Sequence, residues 1–169
     1  MRTTLASCLL MVLALDSMAQ GTSTAQVEVR FDHPEKFRDA SLDNRAYPRG
    51  ADPQVMKALA EHLQALGQRY LRPGQQLLID IRDIDLAGQF EPWHSQAYDV
   101  RFLREVTWPS IDLDYTFEQP GQPTLKAKER LSDKMYLSRP GRLGNNDRLY
   151  AEKAMLGDWF RQRFAPPSS

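Results

Sequence analysis

Acidic side chains gather at one point of the sequence, where their spacing could support metal binding or acid–base catalysis. Asp80, Asp83 and Asp85 lie close together, and His94 follows in the next loop. Carboxylate oxygens can hold a calcium or magnesium ion, and an imidazole paired with a carboxylate can act as a general base. The spacing matches no calcium-loop pattern, however, and Arg82 stands among the acids as an ion-pair partner. We therefore favour a solvated strand end and keep a hydrolase or metal-dependent enzyme as the alternative.

A basic, glycine-containing loop over residues 138–148 opens onto the last predicted helix. Free amides at a helix N-terminus, the helix dipole and arginine side chains are the ingredients of an anion site. The spacing of a phosphate-binding loop is missing, so we favour a simple connection in which Asn146 or Asp147 caps the helix. An anion or phosphate-ligand site is the alternative. Its candidate contacts are Arg139, Arg142, Asn146 and Arg148.

Trp93 and His94 place an aromatic ring and an imidazole in the loop after the acids. An exposed Trp93 could contact a partner, and His94 could pair with a carboxylate such as Asp99 to form a general base. The other two histidines, His33 and His62, are far away in the sequence, and no Gly-x-Ser-x-Gly nucleophile motif occurs. These observations favour a binding protein over an enzyme.

The elements that position these residues follow a predicted secretory signal peptide, residues 1–19. Arg2 precedes an apolar run over residues 5–15, and Ala19 ends a tripeptide of the kind that a signal peptidase accepts. The run is too short to span a bilayer, which needs roughly 20 helical residues. We expect cleavage after Ala19, or after Ala25 at a second small-x-Ala site. The mature chain is then periplasmic and has no transmembrane segment.

Removal of the signal peptide would also remove Cys8, the only cysteine. The tetrapeptide at residues 5–8 resembles a lipoprotein cleavage site, but the apolar run follows the cysteine instead of preceding it, which disfavours a lipid anchor. The mature chain would lack a thiol for disulfides, thiolate metal sites or nucleophilic catalysis. It would also stay neutral, since the 22 basic and 22 acidic residues each lose one, Arg2 and Asp16. Neutrality argues against a nucleic-acid binder, and we expect a monomer without metal or cofactor.

Alternating apolar and polar residues predict five strands. After Ile81 the apolar positions change from odd to even numbers, which predicts a bulge near Arg82 and Asp83. The predicted strands cover residues 27–31, 75–81, 98–103, 111–117 and 125–131.

A three-residue turn at residues 120–122 fixes the register of the last two strands. It places Asp114 opposite Lys128 and Asp112 opposite Arg130. The basic residues of the last strand are therefore predicted to form a cross-strand charge ladder with these acids. An anion-binding patch is the less favoured interpretation of the same residues.

Two helices complete the predicted fold. Asp52 and Pro53 form a helix start, and apolar residues then recur at three- and four-residue spacing up to Tyr70. The second helix is expected from about Asp147 to Phe164. Strand, helix and strand in this order predict a right-handed crossover between parallel neighbours. We therefore expect an α+β fold in which a single mixed sheet of about five strands carries both helices on one face.

The predicted domain boundaries follow from these elements. One α+β domain is expected over residues 27–164, between a flexible segment at residues 20–26 and a disordered tail at residues 165–169.

Three stretches together resemble an uncharacterised family of small secreted proteins from Gram-negative bacteria, a domain of unknown function with the number 3016. They are VEVRFDHPEKFRD at 27–39, LLIDIRDIDLAG at 77–88 and GNNDRLYAEKAMLGDWFRQRF at 144–164. The resemblance implies export to the periplasm and a compact mixed fold. It implies no activity, cofactor or catalytic residue.

The sequence therefore favours a non-catalytic periplasmic binding or accessory protein of the cell envelope. Three loops are candidates for contact with an envelope protein or a small ligand. They cover residues 32–50, 87–97 and 138–147.

Overall fold

The computed structural model describes residues 26–44, 50–91, 93, 96–142 and 144–166. The predicted signal peptide, both predicted cleavage sites and Cys8 lie outside the described residues. So do residues 20–25 of the predicted flexible segment and residues 167–169 of the predicted tail.

The described residues form six β-strands and two α-helices in the order expected for an α+β fold. The predicted class is confirmed, with one main sheet that contains parallel and antiparallel strands. The elements are β1 Gln26–Phe31, α1 Pro53–Tyr70, β2 Gln76–Asp85, β3 Gln89–Phe90, β4 Arg101–Phe102, β5 Ser110–Glu118, β6 Leu125–Ser132 and α2 Tyr150–Phe164.

The main sheet has the strand order β1-β2-β5-β6. β1 and β2 are parallel and are joined through α1, as the predicted crossover requires, while β5 and β6 add as an antiparallel pair. The predicted strand at residues 98–103 does not join this sheet. Only Arg101–Phe102 is extended, and it pairs with β3 in a separate two-stranded sheet. Tyr98, Val100 and Leu103 are exposed rather than directed at the core, so their alternation was misleading.

The strand registers agree with the sequence patterns. β5 and β6 pair Asp114 with Lys128 and Asp112 with Arg130, which confirms the predicted ladder. The β2–β5 register shifts between Ile81 and Asp83, which confirms the predicted bulge. Arg82 is the extra residue of this bulge. Its guanidinium bonds to Asp32, which directly follows β1, and to Asp114 of β5, on the sheet face that carries no helix.

Helix α1 begins where the sequence predicts. The Asp52 side chain accepts a hydrogen bond from the Gln54 N–H at 2.8 Å and caps the first turn, with Pro53 at the first helical position. The helix crosses β1 closely at Gly67, where a Cβ atom would lie 2.1 Å from Cγ2 of Val27. Glycine at this position therefore sets the distance between the helix and the sheet.

Helix α2 begins at Tyr150, three residues later than predicted. The Asp147 carboxylate accepts a hydrogen bond from the Leu149 N–H at 2.9 Å, which closes a turn before the helix. This turn is not a cap of α2, because the N-cap residue is Leu149 rather than Asn146 or Asp147, so the predicted cap is wrong. No side chain caps α2 at Leu149 itself.

Both helices pack on the same face of the main sheet and contact each other. Aromatic rings dominate the contact with α2: Tyr115 lies edge-on to Trp159 at 5.7 Å, and Phe117 meets Phe164 at 5.1 Å. Such ring pairs contribute roughly 0.5–1.5 kcal/mol beyond burial alone. Helix α1 adds the buried side chains Val55, Leu59, Leu63 and Leu66. No helix of the described residues is long and apolar enough to cross a membrane.

Candidate functional site

Residues 86–109 connect β2 to β5 and contain the short β3–β4 sheet. We call the described residues of this connection the 86–109 loop. Loops on a rigid scaffold are the usual carriers of binding function. Buried polar contacts hold the base of this loop, and several of its large hydrophobic side chains are exposed.

The guanidinium of Arg101 holds the base of the loop. Its side chain is 8% exposed and donates to the backbone carbonyl oxygens of Leu86, Ala87 and Gly88. It also forms a two-pronged ion pair with Asp39, at 2.5 and 3.1 Å. A guanidinium is tolerated in the interior when its donors are satisfied in this way. The contacts fix the turn after β2 against the segment that follows β1.

A second ion pair ties the middle of the loop to its far end. Glu91 is 2% exposed and accepts both Nε and Nη2 of Arg104, at 2.6 and 2.8 Å. The hydrogen bond to Glu91 raises the pKa of Arg104. The hydroxyl of buried Tyr136 donates to the Arg104 carbonyl oxygen at 2.9 Å. This half of the loop is thereby attached to the 3-10 turn Tyr136–Ser138 that precedes α2.

Gly88 allows the two ends of the loop to approach. Its φ is +75°, and a Cβ atom would lie 2.5 Å from the Phe102 carbonyl oxygen. Its N–H donates to the Thr107 carbonyl oxygen at 2.8 Å. Because both the positive φ and the close contact exclude a side chain, this turn requires glycine.

A carboxyl group of helix α2 also holds the base of the 86–109 loop. Glu152 is 1% exposed, and its Oε1 accepts a hydrogen bond from the Ala87 N–H at 2.7 Å. The peptide groups of Ala87 are therefore held on both sides, the N–H by Glu152 and the carbonyl by Arg101. Burial raises the pKa of Glu152, although the bond to Ala87 and the charge of Arg101 oppose the shift.

The loop exposes many large hydrophobic side chains to solvent. Among the described residues, seven large hydrophobic side chains are exposed, and five of them lie in this loop. Val106 is 75% and Trp93 68% exposed, which is far more than core packing leaves. Exposed hydrophobic side chains in this number on one loop are typical of sites of interaction with other molecules. The other three exposed hydrophobic residues of the loop are Tyr98, Val100 and Leu103.

A sequence family described as "Protein of unknown function (DUF3016)" matches residues 25–162. The chain belongs to this family. The match confirms the family resemblance of the sequence and includes the whole main sheet, the 86–109 loop and all but the last two residues of α2. Comparison with curated proteins and with solved structures returns no match. The DUF3016 description names no activity, so any function must be inferred from the arrangement of the side chains.

In this DUF3016 domain, two of the acidic candidates are held by one arginine. Asp83 accepts bonds from the backbone N–H and the side chain of Arg38, and an oxygen of Asp85 lies 3.3 Å from the same guanidinium. Burial raises the pKa of Asp85, and the charge of Arg38 opposes the rise. Asp80 lies on the open face of the sheet, opposite Asp114 in the β2–β5 register.

The histidine proposed to work with these acids, His94, lies outside the described residues. Its pairing with Asp99 therefore stays a prediction. Among the described residues, no group of three or more His, Cys, Asp or Glu side chains is placed to hold a metal ion.

The basic candidates of the 138–148 loop do not converge on the start of α2. Arg139 bonds to Asp133 and Asp158, well along the helix. The other two arginines donate to backbone carbonyl oxygens, Arg142 to Leu137 and Arg148 to Leu42. Asn146 is exposed to solvent. The structure therefore engages each arginine in a different contact and does not bring them together around one ligand.

The sequence analysis missed two of the residues that hold the loop, Arg101 and Glu152. Arg101 stood in a predicted strand, and its partners are backbone carbonyl groups that no side-chain pattern reveals. Glu152 did leave a signal. It lies three residues after Leu149 and four before Leu156, which places a carboxyl group on the apolar stripe of α2. A carboxyl group at such a position needs an interior partner, and Ala87 supplies it.

Proposed function

We propose that this protein is an exported, non-catalytic binding or accessory protein of the cell envelope, which contacts a partner protein through the 86–109 loop. One observation carries the proposal: five exposed hydrophobic side chains lie on a single loop whose base is fixed by buried polar contacts. Burying such a surface is favourable by roughly 25 cal/mol per Å² of apolar area.

The fixed base favours recognition because it lowers the cost of binding. A mobile loop loses conformational freedom when it binds, and each immobilised side chain costs roughly 0.5–1.5 kcal/mol. Two ion pairs already hold the backbone of the loop, and each has one buried partner. The buried partners are Arg101 and Glu91. Folding has therefore already ordered much of the loop backbone, and less conformational freedom is lost when a partner binds.

The chemistry of the loop surface favours a protein over a small anion or nucleic acid. Trp93 and Tyr98 supply aromatic area, and Val100 and Val106 supply aliphatic area. Of the exposed charged residues among them, Asp99 and Glu105 are acidic, while the basic Arg104 is already paired with Glu91. The complementary partner surface is apolar with basic residues at its edge.

Export is supported by the residue order of the first nineteen positions. Cell fractionation with N-terminal sequencing tests it. The protein is expected in the periplasmic fraction, with Gln20 or Gln26 as its first residue. An uncleaved protein in the cytoplasm would overturn this part of the proposal.

Photo-crosslinking in living cells tests the binding surface. A photoreactive amino acid at position 93 or 106 is expected to give the same crosslinked product. The matched control is position 57, because Lys57 has 76% of its side chain exposed on the outer surface of α1. Equal labelling from position 57, or different products from positions 93 and 106, would overturn the proposed surface.

A further inference from the structure

Glu152 has an oxygen atom that its structural role does not use. Oε1 accepts the Ala87 N–H, but Oε2 is buried and has no hydrogen-bond partner. Buried carboxylate oxygens are normally paired, because an unpaired charge in the interior is costly. A protonated carboxyl group, by contrast, carries no charge and can still accept the Ala87 bond through Oε1.

The groups facing Glu152 do not offer it a dedicated cation. Arg101 is near enough to attract its charge, but that guanidinium is already bound to Asp39 and to the carbonyl groups of the loop base. Asp147, ahead of α2, repels it, and Tyr136 approaches from the 3-10 turn as a neutral phenol. Ionisation would therefore place a second carboxylate beside one shared guanidinium.

We propose that Glu152 is a proton-controlled anchor for the 86–109 loop. With the carboxyl group protonated, Ala87 is held without a buried charge and the loop base is firm. Ionisation introduces a charge that Oε2 cannot pair, so the contact between α2 and the loop loosens. This inference rests on the proposed function, since it makes the binding surface most ordered in acidic surroundings.

The direction of the pH effect follows from the environment of Glu152. Burial raises its pKa above the ordinary glutamate value of 4.5, which the unfolded chain retains. The folded state therefore binds the proton more tightly. The stability that Glu152 contributes is fully present below about pH 4.5 and is lost as the pH rises through the raised pKa.

Asp85 and Asp147 also have shifted pKa values, and their effects must be distinguished from that of Glu152. Burial raises the pKa of Asp85. The pKa of Asp147 is lowered: burial opposes the shift, but the bonds from Lys153 and the Leu149 N–H outweigh it. Neither carboxyl group bonds to Ala87 in the structure, so the Ala87 N–H is a specific reporter for Glu152.

Nuclear magnetic resonance of the full mature chain tests the anchor. The Ala87 amide proton is expected to shift with pH, with a midpoint above 4.5, the ordinary glutamate value. Protection of the Ala87 and Gly88 amides against hydrogen exchange, corrected for the intrinsic rate, should fall at least about tenfold across the same transition. In Glu152→Gln both changes should disappear. The control Glu61→Gln, on the exposed surface of α1, should behave like the original protein.

The anchor would be overturned if the chemical shift of the Ala87 amide proton does not change with pH. It would also be overturned if that shift changes equally in Glu152→Gln. If Glu152→Gln fails to fold, the side-chain carboxyl ¹³C resonance of Glu152 in the original protein gives the same midpoint directly. Crosslinking from position 106 at several pH values separates the two proposals. If the Ala87 amide shift depends on pH but position 106 gives no crosslink at any pH, the binding surface is contradicted. If position 106 gives a crosslink but the Ala87 amide shift does not depend on pH, only the anchor is contradicted.

Discussion

The carboxyl group of Glu152 in α2 accepts a hydrogen bond from the backbone N–H of Ala87 at 2.7 Å, across 65 positions of sequence. The contact attaches the last helix to the turn at which the 86–109 loop leaves β2. Arg101 binds the carbonyl group of the same residue at 2.9 Å. A loop that exposes five large hydrophobic side chains is thus fixed to the domain at its base.

Removing the Arg101 guanidinium should destabilise the protein strongly. Arg101→Ala leaves Asp39 and four backbone carbonyl groups without their donor. We expect a loss of about 3 kcal/mol in the free energy of unfolding, measured with urea. Arg130→Ala is the control, because Arg130 has 58% of its side chain exposed and faces Asp112 across the ladder. It should cost less than about 1 kcal/mol. Equal losses in the two variants would contradict the role of Arg101.

Two glycine-to-alanine substitutions in helices should have opposite effects. In α1, the new methyl group of Gly67→Ala would lie 2.1 Å from Cγ2 of Val27, so the helix or the Val27 side chain must shift and the melting temperature should fall. In α2, Gly157→Ala meets nothing within 4 Å and should stabilise the helix by roughly 0.5–1 kcal/mol. Thermal melts followed by circular dichroism measure both. Stabilisation by Gly67→Ala would show that α1 does not lie this close to β1.

The charge ladder on the open face should contribute little to stability. Asp114 lies 3.1 Å from Lys128, whose side chain is 84% exposed. A double-mutant cycle with Asp114→Asn and Lys128→Met should give a coupling energy below about 1 kcal/mol, and it should shrink further in high salt. A larger, salt-independent coupling would mean that this face is covered rather than solvated.

His62 should make the protein less stable in mild acid. Its Nε2–H donates to the Lys153 carbonyl oxygen at 2.9 Å, between the two helices. Burial lowers its pKa below the ordinary value of 6.5, so the folded state disfavours the proton. Its contribution to stability is present above pH 6.5 and is lost as the pH falls through the lowered pKa. His62→Gln should therefore reduce the loss of stability between pH 6.5 and 4.5. An unchanged slope of stability against pH in this variant would exclude His62 as its source.

The main sheet could be predicted because its residues alternate strictly. The parity of apolar residues determined that Asp114 faces Lys128, and the change of parity after Ile81 located the bulge. The 86–109 loop could not be predicted in the same way. Its anchors bind backbone atoms of residues far away in sequence, and apolar residues such as Val100 and Val106 point outward. Periodicity assumes that apolar side chains face a core, and it fails where they are exposed.

The sequence predicted part of the loop as a candidate contact surface. It indicated loop 87–97 and an exposed Trp93, and Trp93 is 68% exposed in the structure, while its contact with a partner stays a prediction. The anion-site hypothesis rested on residue type and position in the loop. It concerned Arg139, Arg142 and Arg148. Their intramolecular partners, such as Asp158 and the Leu42 carbonyl group, come from the three-dimensional fold and leave no local pattern.

The central claim is that the exposed hydrophobic residues of the 86–109 loop bind a partner protein. Its most direct test is co-purification of the affinity-tagged protein from cells after replacement of Trp93 and Val106 by serine. The control replaces Leu125 and Met135, which are 50% and 69% exposed on other parts of the domain. We predict that Trp93→Ser/Val106→Ser loses a partner that the original protein and Leu125→Ser/Met135→Ser both retain, with the same melting temperature in all three proteins. Retention of the same partner by Trp93→Ser/Val106→Ser would contradict the account.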